Sequence, residues 1–404
     1  MNTLMIFSIA LSSFSMLKLP NINITVADIL LFAYFFINVL KPQGVIVPKD
    51  QKIISLLTFF LIIGYFVSSI KAMHPGESVI INLQYFVAFV IQPICIYNFY
   101  RTNKNVESLF EVYLLGIFLN QVISLLLMLT QSRVLVLSGT GRLNSLMGNS
   151  NIYAKTVSSS FLILLYLYFR NRLGIVQFMT YLIVSLISLV FASSFSGLLL
   201  TVGSVALYLG LSCFESDLRK KAGRFLLYLV SLVIALILLK RMNIISLPEI
   251  FISRILNALN DDSNRKIGNL DIKILLIKEA FQFCIASPII GLGANEYQRI
   301  SEFGMPVHNT YLLLWSEAGV LAIIGFISIV MYTYWVSFRK IIYHDTQLGI
   351  LLFSMVSYFA MACMTNTNVY ERFWFLPVFL VLYYPSEEKH ARWKSVSALQ
   401  RNIF

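Results

Sequence analysis

The sequence predicts an all-α fold, a polytopic transmembrane helical bundle of about twelve helices with one large loop on its outer face. Three observations predict it. Hydrophobic residues make up 58% of the 404 residues and charged ones only 12%. The apolar runs repeatedly reach the roughly 20 residues that carry a helix across a hydrocarbon core about 30 Å thick. Lys and Arg gather in alternate short loops, as they do on the cytoplasmic side of membrane proteins. The alternating pattern of an outer-membrane barrel is absent. The net charge of +12 therefore reports topology rather than nucleic-acid binding.

Taken in order, the first helix covers about residues 1–17. It lacks a basic leading region and a small-residue cleavage site, so it reads as a retained span. The next four cover roughly 24–40, 53–70, 79–99 and 109–129, each an apolar run bounded by polar or charged residues. A central group follows at about 151–169, 175–192, 196–213 and 225–241. The last three cover about 309–336, 347–364 and 372–384. The basic loops KPQGVIVPKDQK, YRTNKNVES, RNRLG, ESDLRKKAGR and FRKIIYHDT, with the tail after Pro385, hold more than half of the 31 Lys and Arg. The opposite short loops hold only Lys18, Lys71, Arg133 and Arg142. The positive-inside rule puts the first set and both termini in the cytoplasm.

Two segments then fall outside: 130–151 and the long stretch 242–308. The long one mixes amphipathic pieces (DIKILLIKEAFQFCIA) with turns punctuated by Pro288, Gly291 and Gly293. It is too apolar for a disordered linker and predicts short helices lying on the outer membrane surface. The organisation is N-terminal transmembrane helices over 1–241, a cap loop over 242–308, and C-terminal helices with a basic tail over 309–404.

Ionisable groups inside a membrane are costly and face protein or water. Asp28 and Glu111 sit near span ends, where capping or snorkelling explains them. Glu371 and Arg372 read as a local ion pair. Glu317 lies nine residues after His308, about 13 Å further along a helix, so it faces a wet or paired interior. The external arginines Arg142, Arg254, Arg265 and Arg299 bear guanidinium forks suited to phosphate oxygens. The competing reading is a solvated loop face. His308 is suited to take a proton from a hydroxyl, and Asn309 beside it to cap the following helix. The four cysteines, Cys95, Cys213, Cys284 and Cys363, have no metal-type or redox-type spacing. Asp261 and Asp262 read as a solvated turn, and no metal or cofactor site is predicted.

Three stretches carry a resemblance. GRLNSLMGNSNIYAK (141–155) places an arginine before a Gly-Asn-x-Asn-x-x-Ala opening of a middle span. SRILNALNDDSNRKIGNLDIKILLIKEAFQFCIASPIIGLGANEY (253–297) has two arginines, an amphipathic helix, Ser-Pro and a Gly-x-Gly turn. VHNTYLLLWSEAGVLAIIGF (307–326) has a His-Asn pair opening a helix. In their order and spacing, over about 130 to 330, these resemble the superfamily of O-antigen ligases and O-antigen polymerases. Ala322 stands where the ligase pattern has Gly, Thr or Tyr, and the arginine repeat of some polymerases is absent.

The resemblance implies a glycosyltransferase of the bacterial inner membrane, its site facing the periplasm. It would move a glycan from undecaprenyl diphosphate to an acceptor sugar, with inversion and without a metal. His308, Arg142 and Arg265 would be catalytic, and Arg254, Arg299, Asn309 and Glu317 would bind substrate. The expected partners are the lipid-linked oligosaccharide, the acceptor glycan, the bilayer and a chain-length regulator. A polymerase is the leading expectation, a ligase acting on lipid A-core the nearest rival. A flippase or transporter is weaker, because no internal repeat is visible.

Overall fold

The computed structural model describes residues 2–17, 24–103, 107–242, 248–259, 270–343, 345–367 and 371–385. The regular structure of those residues is helical, with no strand among them. The helices are α1 (Asn2–Ala10), α2 (Val26–Val39), α3 (Lys49–Ser68), α4 (Pro75–Phe86), α5 (Gln92–Thr102), α6 (Ser108–Met128), α7 (Ser150–Phe169), α8 (Ile175–Ala192), α9 (Phe195–Ser212), α10 (Ser216–Arg241), α11 (Glu249–Leu259), α12 (Leu270–Ala286), α13 (Glu296–Ile300), α14 (Thr310–Tyr343), α15 (Thr346–Cys363) and α16 (Leu376–Leu382).

Among the described residues, eight helices are long and apolar enough to cross a membrane. They are α3, the run Pro75–Thr102, α6, α7, α8, α9, α14 and α15. Asn2–Ser13 and Val26–Val39 are shorter apolar helices. At the last expected span, 372–384, only Leu376–Leu382 is α-helical. The helix expected over 271–286 is present as α12.

The chain divides into two compact units that interleave in sequence. One comprises Met1–Ser12, Lys18–Tyr113 and Asn269–Phe404, the other Ser13–Leu17 and Leu114–Gly268.

In the first unit α3 packs along α14. Glycines make the approach close: a side chain at Gly64 would meet Ala322 Cβ at 2.7 Å, and one at Gly325 would meet the Leu57 carbonyl at 2.8 Å. Small residues serve this purpose between membrane helices, where packing must replace the hydrophobic effect. A π-helical turn, Val87–Ile91, joins α4 to α5. Gln51 Nε2 donates to the Phe89 carbonyl within that turn (2.7 Å), and Tyr383 Oη donates to Gln51 Oε1 (2.6 Å). Asp28 caps α2 through a capping box with Thr25. Arg372 pairs with Asp28 and reaches Ser8 Oγ, so its ionic partner is not the neighbouring Glu371 that the sequence suggested.

In the second unit α7 is the buried centre, packed against α8 and α9. Ser158 Oγ donates to the Gly197 carbonyl at 2.9 Å, and Thr201 Oγ1 donates to Ser158 Oγ at 2.7 Å. A side chain at Gly197 would collide with Ala154 Cβ.

One expectation about α14 fails. The sequence reads as one continuous helix, but the backbone breaks at Gly319, with φ 75° and ψ −175°. The Ser316 and Glu317 carbonyls would ordinarily bond the N–H groups four residues on. They accept instead from Leu292 and Gly293, both at 2.9 Å, and Val320 N–H donates to the Pro288 carbonyl at 2.9 Å. The Pro288–Gly293 strap thus repairs the broken ladder, as backbone groups inside a membrane protein require.

Candidate functional site

Arg142 is presented by a tight loop of the second unit. Ser138 N–H donates to the Arg142 carbonyl (2.8 Å), and Arg142 N–H donates to Ser138 Oγ (3.0 Å). Gly141 takes a left-handed φ of 75° to close the turn. The side chain then turns inward and is only 8% exposed. Its Nε donates to the Ala192 carbonyl at the end of α8 (3.0 Å), and its Nη2 donates to Asn151 Oδ1 in the first turn of α7 (2.7 Å). Ser194, the N-cap of α9, also donates to Asn151 Oδ1, at 3.1 Å.

Among the described residues no carboxylate pairs with Arg142. Burial pushes its guanidinium down to about 10, and the like charge of Arg254 adds to the shift. It still carries its charge at neutral pH. Arg254 lies on α11, and Ile250 of the same helix packs over the loop, since a side chain at Gly141 would meet Ile250 Cδ1 at 3.1 Å. Two guanidiniums without a described carboxylate, with the N-termini of α7 and α9 beside Asn151, make a local excess of positive potential. That arrangement suits an anion. Arg265 lies outside the described residues, as do Asp261 and Asp262.

His308, Asn309, Glu317 and Arg299 belong to the first unit. His308 is partly exposed and immediately precedes the α14 cap. Asn309 is that cap: its Oδ1 accepts from Leu312 N–H (3.1 Å) and its carbonyl from Leu313 N–H (2.9 Å). Val307, just before them, is buried with Leu276, Ala280, Tyr297 and Leu313, which fixes the approach of the chain to the helix. Thr310 Oγ1 donates to the Asn366 carbonyl at 2.9 Å.

Glu317 is buried, 2% exposed, two residues before the break. Tyr65 Oη donates to its Oε2 (3.4 Å). Arg299 is engaged within the protein. It pairs with Glu77 and with Glu296 (3.1 Å), while Asn295 Nδ2 donates to Glu77 Oε2 (2.8 Å). Its fork therefore already has two carboxylates.

The arrangement brings Arg142 and Arg254 together and gathers Glu317, Asn295, Glu296 and Arg299 along the strap. Sequence reasoning missed Asn151, Ser194, Tyr65 and Asn366. Asn151 was visible as the second asparagine of the GNSN stretch, whereas the others lie far along the chain from the groups they touch. Among the described residues no group of three or more His, Cys, Asp or Glu is placed to hold a metal ion. No family model matches the chain, and no curated protein matches it.

Proposed function

We propose that the protein is a surface-polysaccharide (O-antigen) polymerase of the bacterial inner membrane. It transfers a glycan from undecaprenyl diphosphate to the acceptor sugar of another lipid-linked repeat unit on the periplasmic side. The observation that carries the reading is Arg142, a buried guanidinium held by Ala192 and Asn151, beside Arg254 and with no carboxylate against it among the described residues.

In this reading the donor arrives activated, because its leaving group is a diphosphate. Arg142 and Arg254 bind that diphosphate and stabilise the charge that develops on it as the glycosidic bond breaks. Arg265 joins them. His308 takes the proton from the acceptor hydroxyl as that oxygen attacks the anomeric carbon from the opposite face, with inversion. Asn309 and Glu317 hold the first half of α14, which His308 precedes, the first by capping it and the second through Tyr65. The motif order described above supports assigning these roles to these residues.

The test is genetic. The gene is deleted, and lipopolysaccharide is displayed on a gel with wild type, Arg142→Ala or His308→Ala returned and membrane expression checked. A ladder that collapses to core plus one repeat supports the polymerase. Loss of every O-antigen band, with lipid-linked polymer accumulating, makes the chain a ligase instead. A normal ladder from both variants removes the site assignment.

A further inference from the structure

The helix that carries Arg254 has its own hold on the Arg142 loop. Ile250 and Arg254 are four residues apart on α11, so they share one face of that helix. Ile250 seats this face on the loop: it comes so close to Gly141 that an added Cβ would meet its Cδ1 at 3.1 Å. Gly141 thus serves twice, through its left-handed turn and through the room it leaves for Ile250. α11 also packs against α9, whose N-cap Ser194 donates to Asn151, the acceptor of Arg142 Nη2. Loop, α9 and α11 therefore converge on one guanidinium.

That convergence is electrostatically unfavourable by itself. Arg142 is buried, and the hydrogen bonds of its fork go to two neutral oxygens, the Ala192 carbonyl and Asn151 Oδ1. The charge of Arg254 is near enough to act on it. Among the described residues neither guanidinium meets a carboxylate. Like charges held together and partly out of water repel, and an anion between them removes the repulsion. The two forks belong to different elements, a loop and a helix. An anion that fills both must offer oxygens on two centres. A diphosphate does so, whereas a single phosphate fills one fork.

We propose that Ile250 is a positioning residue: by seating α11 on Gly141 it holds Arg254 beside Arg142, and so makes the site select a diphosphate over a single phosphate. The assignment of that diphosphate to a lipid-linked glycan rests on the function proposed above. The role of Ile250 rests on its contact with the loop and on the two guanidiniums that the contact brings together.

The test uses the full chain in nanodiscs of zwitterionic lipid. Inorganic pyrophosphate and orthophosphate are titrated by calorimetry at one ionic strength. The wild type is expected to bind pyrophosphate at least about tenfold more tightly, the effect of one added charge-assisted pair. Arg254→Gln should abolish that preference. Ile250→Ala should reduce it as far, although every arginine remains, and should leave orthophosphate affinity unchanged. Ile250→Val, which keeps most of the contact, should restore it. Because Ile250 acts through Arg254, the double variant should lose no more than Arg254→Gln alone.

A wild-type preference in folded Ile250→Ala overturns the proposal. So do losses that add in the double variant, or an equal fall in both affinities, which is what a merely structural isoleucine would give. A wild type that does not distinguish the two anions overturns it as well. Transfer from lipid-linked repeat units is measured separately. A preference that follows Ile250 without any transfer removes the polymerase and leaves the positioning role standing.

Discussion

A guanidinium offers five N–H donors in a rigid plane, and Arg142 commits its Nε and Nη2 to Ala192 and Asn151, leaving the rest of the fork for a ligand. Lysine reproduces the charge but not the plane. Arg142→Lys is therefore expected to reduce transfer by roughly a hundredfold with the protein still folded, as loss of an electrostatic stabiliser does. Asn151→Ala, which frees the fork without removing it, should cost less. A rate assay on equal amounts of purified variants separates them, and equal losses would count against the fork. The buried pair Asp28–Arg372 invites a second measurement. Asp28→Asn leaves the Arg372 charge uncompensated and should cost about 3–5 kcal/mol, read as a fall in thermal midpoint. Both charges were visible in the sequence, but their pairing was not. The two residues are 344 positions apart, and the adjacent Glu371 offered a simpler partner. Arg142, by contrast, stood out by its place in a glycine- and asparagine-rich loop beside a span, although a solvated loop face explained it as well until its burial and its partners Ala192 and Asn151 were seen.

At the level of the element, hydropathy reports how long a segment stays apolar and nothing about its continuity. The run from Thr310 to Tyr343 is apolar on both sides of Gly319, so the break left no trace in the pattern. The cause lies elsewhere in the chain: a Ser-Pro turn and two glycines that supply replacement partners for the freed backbone. Gly319→Ala tests the device. Alanine resists a φ of 75°, and its Cβ would strike the Ile289 carbonyl. A loss of about 1–3 kcal/mol is expected from the backbone alone, with more from the collision. Gly76→Ala is the control, since nothing lies within 4 Å of a side chain built there. Similar midpoints for the two variants would mean that the strap does not depend on Gly319. The π-helical turn makes a parallel case, because its Phe89 carbonyl depends on Gln51, a residue that the sequence presents only as polar at a span end.

At the scale of the whole chain, the charge rule and the structure's contacts are independent, and within each unit they agree. In the second unit the Arg142 loop touches the end of α8 and the starts of α7 and α9, which are all ends that the basic-loop pattern assigns to the outer side. In the first unit Glu77, Arg299, Tyr65 and Glu317 meet at ends assigned outside, while Tyr332 Oη donates to Asp50 (2.7 Å) and Lys340 Nζ to the Tyr384 carbonyl (3.2 Å) at ends assigned inside. The eight long apolar helices were thus legible from composition, because the capacity to cross a membrane is set by length and apolarity. Reporter fusions test the orientation. A phosphatase that works only outside the cytoplasm should be active when joined after Gly139 and inactive after Asn171, with the reverse for a fluorescent reporter that folds only inside. The opposite result would put Arg142 and its loop in the cytoplasm. Nucleotide-activated sugars are the ordinary donors there, and a flipped lipid diphosphate would not reach the arginine. The orientation measurement therefore bears on the proposed chemistry as directly as any substitution at the site.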